Sequence, residues 1–424
     1  MRKTSLLLLF SMVLLFVCAV SLFAESPMVA GNLVIVGGGL LPQNEVVYDT
    51  FLELAQAFRG RDREQIVVGI VPAGSADPVY SAESYIADFV SYGALEQNCH
   101  VLPLAVKDDR DTDEDESLWA DNGNSPKVAA QVLECDAIWF VGGDQTRYMR
   151  VLLDAEGNPT LVSQAIWQVY KDGAVLGGTS AGAAIMSDPM LSGGTGYGAL
   201  AQGVTYEDNY GIEGDNRVFL TPGLGFFPGV LVDQHFSQRA RLGRLVVACA
   251  DQGISLGFGI DENTALVVYN SEGSVQAIGE GGVTIVDMRE AQWSVEPSWK
   301  VENARISLIE KGDRYSLQDG SFSLIDVRDT TLGYEYYDAD PSHSEMNSNL
   351  KDILTLKLID NLSEQVDCFT FEWDGTEQGS GFLFRFSQDA NSEGFWGKIN
   401  GKETYAVLNV RMDILPFRMK VELE

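Results

Sequence analysis

Histidine and positive charge are what this sequence has least of. Its 424 residues include three His, and 29 Lys and Arg stand against 61 Asp and Glu, a formal net charge of −32. Such a surface repels nucleic acid and anionic lipid, so neither is expected as a partner. Solubility is the plain consequence of the acid excess; collection of a cationic substrate is the sharper one, and salt dependence separates the two. Cysteine is scarce as well. The five present form no CxxC pair and no Cys/His cluster, so no metal site is expected. A cofactor is not expected either: "VIVGGG" at 34–39 is a glycine run without the complete GxGxxG fingerprint. Internal repeats and heptads are absent, while 45% hydrophobic and 21% charged residues are the proportions of an ordinary globular chain.

Long apolar runs are confined to the N-terminus, where Arg2 and Lys3 precede "LLLLFSMVLLFVCAV" and small residues follow at Ala19, Ser21 and Ala24. This is the layout of a secretory signal peptide over residues 1–24, which implies a secreted or periplasmic protein. An uncleaved anchor fits less well, because a run of about 15 residues is short for a bilayer. Cys18 follows Val17 rather than a small residue, which argues against lipidation. No second run is long enough to span a membrane. Processing removes two positive charges and leaves about −34. Of the remaining cysteines, Cys99, Cys135, Cys249 and Cys368, export permits a disulfide, but Cys135 and Cys249 sit among apolar residues and read as core.

What is there is mostly α/β. Between residues 30 and 180, "NLVIVGGG", "EQIVVGIVPAGS", "HVLPLAV", "DAIWFVGGD" and "AVLGGTS" read as strands, and the spacers "VVYDTFLELAQAFRG", "SAESYIADFVSYGAL" and "NSPKVAAQVLE" carry helical periodicity. That alternation predicts a mostly parallel sheet flanked by helices. The runs are nearly continuous in apolar residues, as for strands buried on both faces. Glycine-rich turns at 37–40, 72–75, 142–145 and 177–182 then fall at the carboxyl ends of strands, where such sheets bind ligands, and should face one crevice. Beyond residue 255 the pattern turns to strands and turns. The expected organisation is a main α/β unit over 25–330, a polar linker over 331–350, and a small β-rich domain over 351–424 built from "LTLKLID", "CFTFEWDG", "GFLFRFSQ", "EGFWGKING", "ETYAVLNVRM" and "RMKVELE".

Gly178-Thr179-Ser180-Ala181-Gly182 fits G-x-S-x-G, a nucleophile elbow in which a strand turns sharply into a helix and holds the serine oxygen out. Small neighbours are needed at that corner, and the amide after the serine can face a developing oxyanion. Serine needs a base to take its proton. His100 begins a strand expected to be buried and His343 lies in the linker, which leaves His235 at the end of the apolar run "GVLV". A carboxylate near another strand end completes the set; "GFGIDENTALVVY" offers Asp261 and Glu262, and Glu262 is favoured. The order Ser180, His235, Glu262 differs from the Ser, acid, His order of the α/β-hydrolases, so the elbow does not by itself indicate a lipase or esterase.

"GGTSAGAAIMSDPM", "DQHFSQRARLGRL", "GIDENTAL" and "VGGDQ", in that family's order across roughly residues 30–315, resemble the cyanophycinases, serine peptidases related to the aspartyl dipeptidases called peptidase E. The resemblance implies a class I glutamine amidotransferase-like fold with Ser180 as nucleophile, His235 as base and Glu262 as orienting acid. It implies a substrate, cyanophycin, whose poly-aspartate backbone carries arginine on every side-chain carboxyl and is cut from the end into β-Asp-Arg dipeptides. Arg239, Arg241 and Arg244 match the family's arginines at that place and would meet substrate carboxylates; their alternative is ordinary solvation on a helix whose apolar stripe is Leu242, Leu245, Val246 and Cys249. Gln145 matches a pocket-lining residue, and Asp233 and Gln234 would shape the same pocket. Ala181 N–H is the first expected oxyanion donor, with the backbone of Gly143 and Asp144 as a second.

Two stretches stand outside these assignments. Residues 192–217 read as a long glycine-rich loop in which Glu207, Asp208, Glu213 or Asp215 could meet a guanidinium. The β-rich tail could bind polymer, dimerise or retain the protein, and a homodimer stays open. Rival readings are a peptidase for other aspartyl or isoaspartyl peptides, a catalytically silent binding protein on the same scaffold, and an esterase, which the residue order and the arginines disfavour.

Overall fold

The computed structural model describes residues 29–207, 214–336, 344–346, 350–373 and 378–420. The signal segment 1–24, His343, Asp208 and Glu213 lie outside the described residues.

The five apolar runs before residue 180 form the strands Leu33–Val36, Val68–Val71, Cys99–Val101, Ala137–Phe140 and Val175–Thr179. They pair in parallel in the order 33–36, 175–179, 137–140, 68–71, 99–101 within a nine-stranded sheet. Leu33 to Val36 are all fully buried, which explains the absence of polar alternation: helices cover both faces. The periodic spacers are helices Glu45–Arg59, Pro78–Ser91 and Pro126–Leu133, joined by Gln145–Leu152 and Leu161–Asp172. Their starts follow local chemistry. Ser125 and Asp144 accept hydrogen bonds from backbone N–H groups of the first turn, and Pro126 takes the first helical position.

The second half builds another sheet beside the first. Strands Leu231–Gln234 and Leu256–Ile260 are parallel neighbours at one end; Val283–Asp287, Lys300–Ile309, Lys402–Lys420, Gln378–Ser387 and Gln365–Trp373 follow outward. The expected separation at 331–350 is therefore not a break in hydrogen bonding. Lys402–Lys420 pairs antiparallel with Lys300–Ile309, Val410 opposite Ile306 and Met412 opposite Ala304, so the β-rich tail extends the same sheet. "ETYAVLNVRM" and the first three residues of "RMKVELE" belong to one 19-residue strand.

Three expectations need correction. "LTLKLID" is helical: Leu350–Leu354 runs into a wide helical turn at Thr355–Ile359. Its alternation dissolves once Leu350 is included, because buried Leu350, Ile353, Leu354 and Leu358 follow helical spacing. The glycine-rich stretch 192–217 is not one loop: it takes the end of strand Met190–Gly193 and holds helix Gly196–Gln202 and the short strand Val204–Thr205. His100 is exposed, because its strand Cys99–Val101 lies at the sheet edge. Cys99, Cys135, Cys249 and Cys368 are all buried free thiols.

Candidate active site

Ser180 sits where strand Val175–Thr179 turns into the short helix Ala181–Ala184, with φ 53° and ψ −106°. A non-glycine residue in that region costs about 1–3 kcal/mol and persists only where its surroundings over-determine it. The crowding is measurable at the flanking glycines. A β-carbon on Gly178 would lie 2.4 Å from the Gly182 carbonyl oxygen, and one on Gly182 would lie 2.3 Å from that of Phe140. Val36 completes the corner by accepting the Ser180 N–H at 3.0 Å.

His235 follows strand Leu231–Gln234 directly, also at positive φ, 46°. Its N–H donates to the Gly37 carbonyl at 2.6 Å, which ties the second sheet's edge to the end of the first strand. Glu262 comes from the turn between Leu256–Ile260 and Thr264–Tyr269. The three side chains form one chain of hydrogen bonds. Ser180 Oγ lies 2.9 Å from His235 Nε2, and His235 Nδ1 lies 2.5 Å from Glu262 Oε1. With the proton on Nδ1 donated to the carboxylate, Nε2 is left as an acceptor for the serine hydroxyl, the relation general-base activation requires. Burial pulls the imidazole below its usual 6.5; the Glu262 hydrogen bond and charge oppose this, and the charges of Arg239 and Arg241 add to the pull. The ring is thus neutral, and able to accept a proton, at neutral pH.

Around this chain the glycine-rich turns converge as expected. A β-carbon on Gly142 would lie 3.5 Å from Ser180 Cβ, so the 142–143 turn flanks the serine. Neither Ala181 N–H nor Gly143 N–H donates to another group among the described residues. Asp144 differs from the expectation. Its N–H is committed to the Gly74 carbonyl at 2.8 Å and its carboxylate caps the following helix, so it is removed from the oxyanion donors.

The arginines divide. Arg244 is 2% exposed and forms a double hydrogen bond with the 1% exposed Asp233, at 2.7 and 2.5 Å, with a further bond to the Gly194 carbonyl. Both are internal partners of each other, which corrects their expected place on the substrate. Arg241 donates to the Gln234 carbonyl, immediately before His235, and lies 3.5 Å from Asp233. Burial, with the Arg244 charge beside it, brings Arg241 down to about 9, so it stays protonated at neutral pH. Arg239 is exposed and acts electrostatically on His235; its backbone N–H donates to the His235 carbonyl at 3.1 Å, and its guanidinium has no hydrogen-bond partner among the described residues. Gln145 donates from its amide nitrogen to the carbonyls of Leu191 and Ser192, which fastens the post-elbow strand. Gln234 is buried, with Oε1 unpaired among the described residues. Asp215 is engaged by Arg217, which takes it from the guanidinium candidates.

Gln238 was not singled out from the sequence, Gly38 entered only within the glycine-rich turn 37–40, and Asp261 only as the less favoured alternative to Glu262, yet all three shape the site. Gly38 packs against the imidazole, Gln238 accepts the Glu262 N–H through Oε1, and Asp261 holds Ser237. The glycine run after the first strand was a usable signal for Gly38; the other two contacts join residues 24 positions apart and have no local signature.

A model of peptidase family S51 matches residues 33–276. A cyanophycinase of Trichormus variabilis is 34% identical over 275 residues, covering 62% of this chain and 80% of that protein. Cyanophycinases of Synechococcus elongatus and Geminocystis herdmanii are each 34% identical, over 260 and 259 residues, covering 59% of this chain and 70% and 82% of theirs. A crystal structure of a peptidase from an acI-B1 actinobacterium superposes with TM-score 0.46 at 21% identity, covering 69% of this chain and 98% of that one.

Proposed function

The chain belongs to peptidase family S51 and is a serine-type peptidase, and on that premise we propose that it is an exported exopeptidase that hydrolyses cyanophycin to β-Asp-Arg dipeptides through an acyl-enzyme. The observation that carries this reading is the hydrogen-bonded chain from Ser180 through His235 to Glu262, set at a strained corner.

In the proposed reaction Ser180 Oγ attacks the carbonyl carbon of the terminal backbone peptide bond as His235 Nε2 takes its proton. The tetrahedral oxyanion receives hydrogen bonds from Ala181 N–H and Gly143 N–H. His235 returns the proton to the leaving amine, the C–N bond breaks, and the released dipeptide leaves an ester on Ser180. Water, deprotonated by His235, then cleaves that ester and restores the hydroxyl. Glu262 holds the imidazole and offsets its charge in each transition state. Arg239, exposed beside His235, is the arginine suited to a substrate carboxylate. The relatives' named activity supports the substrate, and Arg2, Lys3 and the apolar run after them support export. No helix among the described residues is long and apolar enough to cross a membrane.

The test incubates the mature protein with insoluble cyanophycin beside Ser180→Ala and follows soluble β-Asp-Arg. Release that the variant abolishes is expected; a folded wild type that releases none overturns the substrate and directs the search to isoaspartyl peptides.

A further inference from the structure

We propose that Asp261 and the C-terminal residues Met346, Leu350 and Lys351 are positioning residues for the catalytic base, so that the region beyond the family span completes the active site.

His235 is held at a positive φ between the end of strand Leu231–Gln234 and the single 3₁₀ turn Ser237–Arg239, where Phe236 N–H donates to the Ile260 carbonyl at 3.2 Å. Its geometry must be imposed from outside. On the upstream side the Gly37 carbonyl does this. On the downstream side the anchor is Asp261, 6% exposed, whose Oδ1 accepts both Ser237 N–H at 3.0 Å and Ser237 Oγ–H at 2.5 Å, while Oδ2 accepts Gly282 N–H at 3.3 Å. One residue therefore joins the position two beyond the base to the position one before the acid. Movement of Asp261 changes the His235 to Glu262 distance directly.

The C-terminal segment closes over this anchor. Buried Met346 and Leu350 line one narrow cleft with Phe236, Ser237, Ala240, Arg241 and Leu242, the full turn after the base. Next to them Lys351 reaches Glu310 at 2.5 Å, and its charge favours the ionised form of Asp261 against the burial that raises that carboxyl. Glu310 in turn accepts Thr404 Oγ1–H at 2.9 Å and Tyr405 N–H at 3.0 Å, so the lysine is fixed to the long strand of the tail. The matched family span ends at residue 276, and Met346, Leu350, Lys351, Glu310, Thr404 and Tyr405 all lie beyond it.

The proposal rests on the reading of Ser180 as nucleophile and His235 as base. Its test uses the full chain and two readouts: the rate at which diisopropyl fluorophosphate labels Ser180, which needs the base but no particular substrate, and kcat and KM on cyanophycin. Leu350→Ala and Asp261→Ala are expected to slow labelling and lower kcat by about 10- to 100-fold, with KM within about twofold. Leu350→Met should recover most of the rate. A cooperatively melting Leu350→Ala that labels at the wild-type rate overturns the proposal. Where that variant does not fold, Lys351→Met carries the test from a half-exposed side chain: a several-fold slower labelling supports the role, and an unchanged rate overturns it. A wild type that is not labelled overturns the nucleophile reading and this one with it, whereas normal labelling without cyanophycin turnover overturns the substrate alone.

Discussion

Gly38 and His235 touch so closely that no side chain fits between them: a β-carbon on Gly38 would lie 2.4 Å from His235 Nε2 and 2.3 Å from Cε1. The turn after the first strand is thus a wall that fixes the imidazole plane. Gly38 itself has φ +100°, where any L side chain is strained.

Gly38→Ala should therefore displace the ring from Ser180 and lower kcat by about 100-fold or more, the loss associated with misplacing a reacting group by roughly an ångström. Steady-state kinetics beside a thermal melt check this. A folded Gly38→Ala with wild-type kcat would show that the wall has no catalytic part.

Ser180→Ala and His235→Ala should each remove about 10⁴- to 10⁶-fold of the rate, and the double variant should be scarcely worse than either. The reason is that the pair acts as one unit through a single hydrogen bond of 2.9 Å. Initial rates of dipeptide release for the three variants measure it; additive losses would mean that the two residues work independently.

The acid limb of kcat/KM should lie below pH 6.5. Burial lowers the His235 value, so the neutral ring and the activity are present above that lowered value and lost as pH falls through it. Arg239→Ala removes a charge that pushes the value down and should move the limb to higher pH. Glu262→Gln removes the groups that push it up, and should move the limb to lower pH while slowing turnover. The same shift makes protonation of His235 cost stability as pH drops below 6.5, the unfolded value. A pH-rate profile for the three proteins reads the directions, and equal limbs in all would contradict them.

Arg244→Met should destabilise the fold by about 3–5 kcal/mol, because it strips Asp233, at 1% exposure, of its double hydrogen bond and leaves it only the Arg241 counter-charge at 3.5 Å. Asp233→Asn with Arg244→Met should recover part of that loss. Urea denaturation of the single and double variants gives the numbers; a single-variant loss under about 1 kcal/mol would place the pair among dispensable contacts.

The main sheet was legible because its code is local. Apolar runs of four or five residues ending in glycine became five parallel strands, and the elbow serine stood at the one corner where strand, small residues and helix coincide. His235 emerged by elimination among three histidines, and Glu262 from its place after a strand. The arginines were less legible. Arg239, Arg241 and Arg244 look alike in sequence, yet three or fewer residues of helical and turn geometry send one to solvent, one to a backbone carbonyl and one to a buried carboxylate.

Composition and periodicity by themselves determined the α/β class, the acidic character, the elbow and the candidate triad, since each depends on residues close in the chain or on a type so rare that position follows. Only the tertiary structure decided that the β-rich tail continues the sheet bearing His235, that Asp233 belongs to Arg244, and that Gly38 and Asp261 frame the base. Those relations join residues from 11 to 197 positions apart, and the hydrogen bonds and close contacts that create them exist only after the strands have paired.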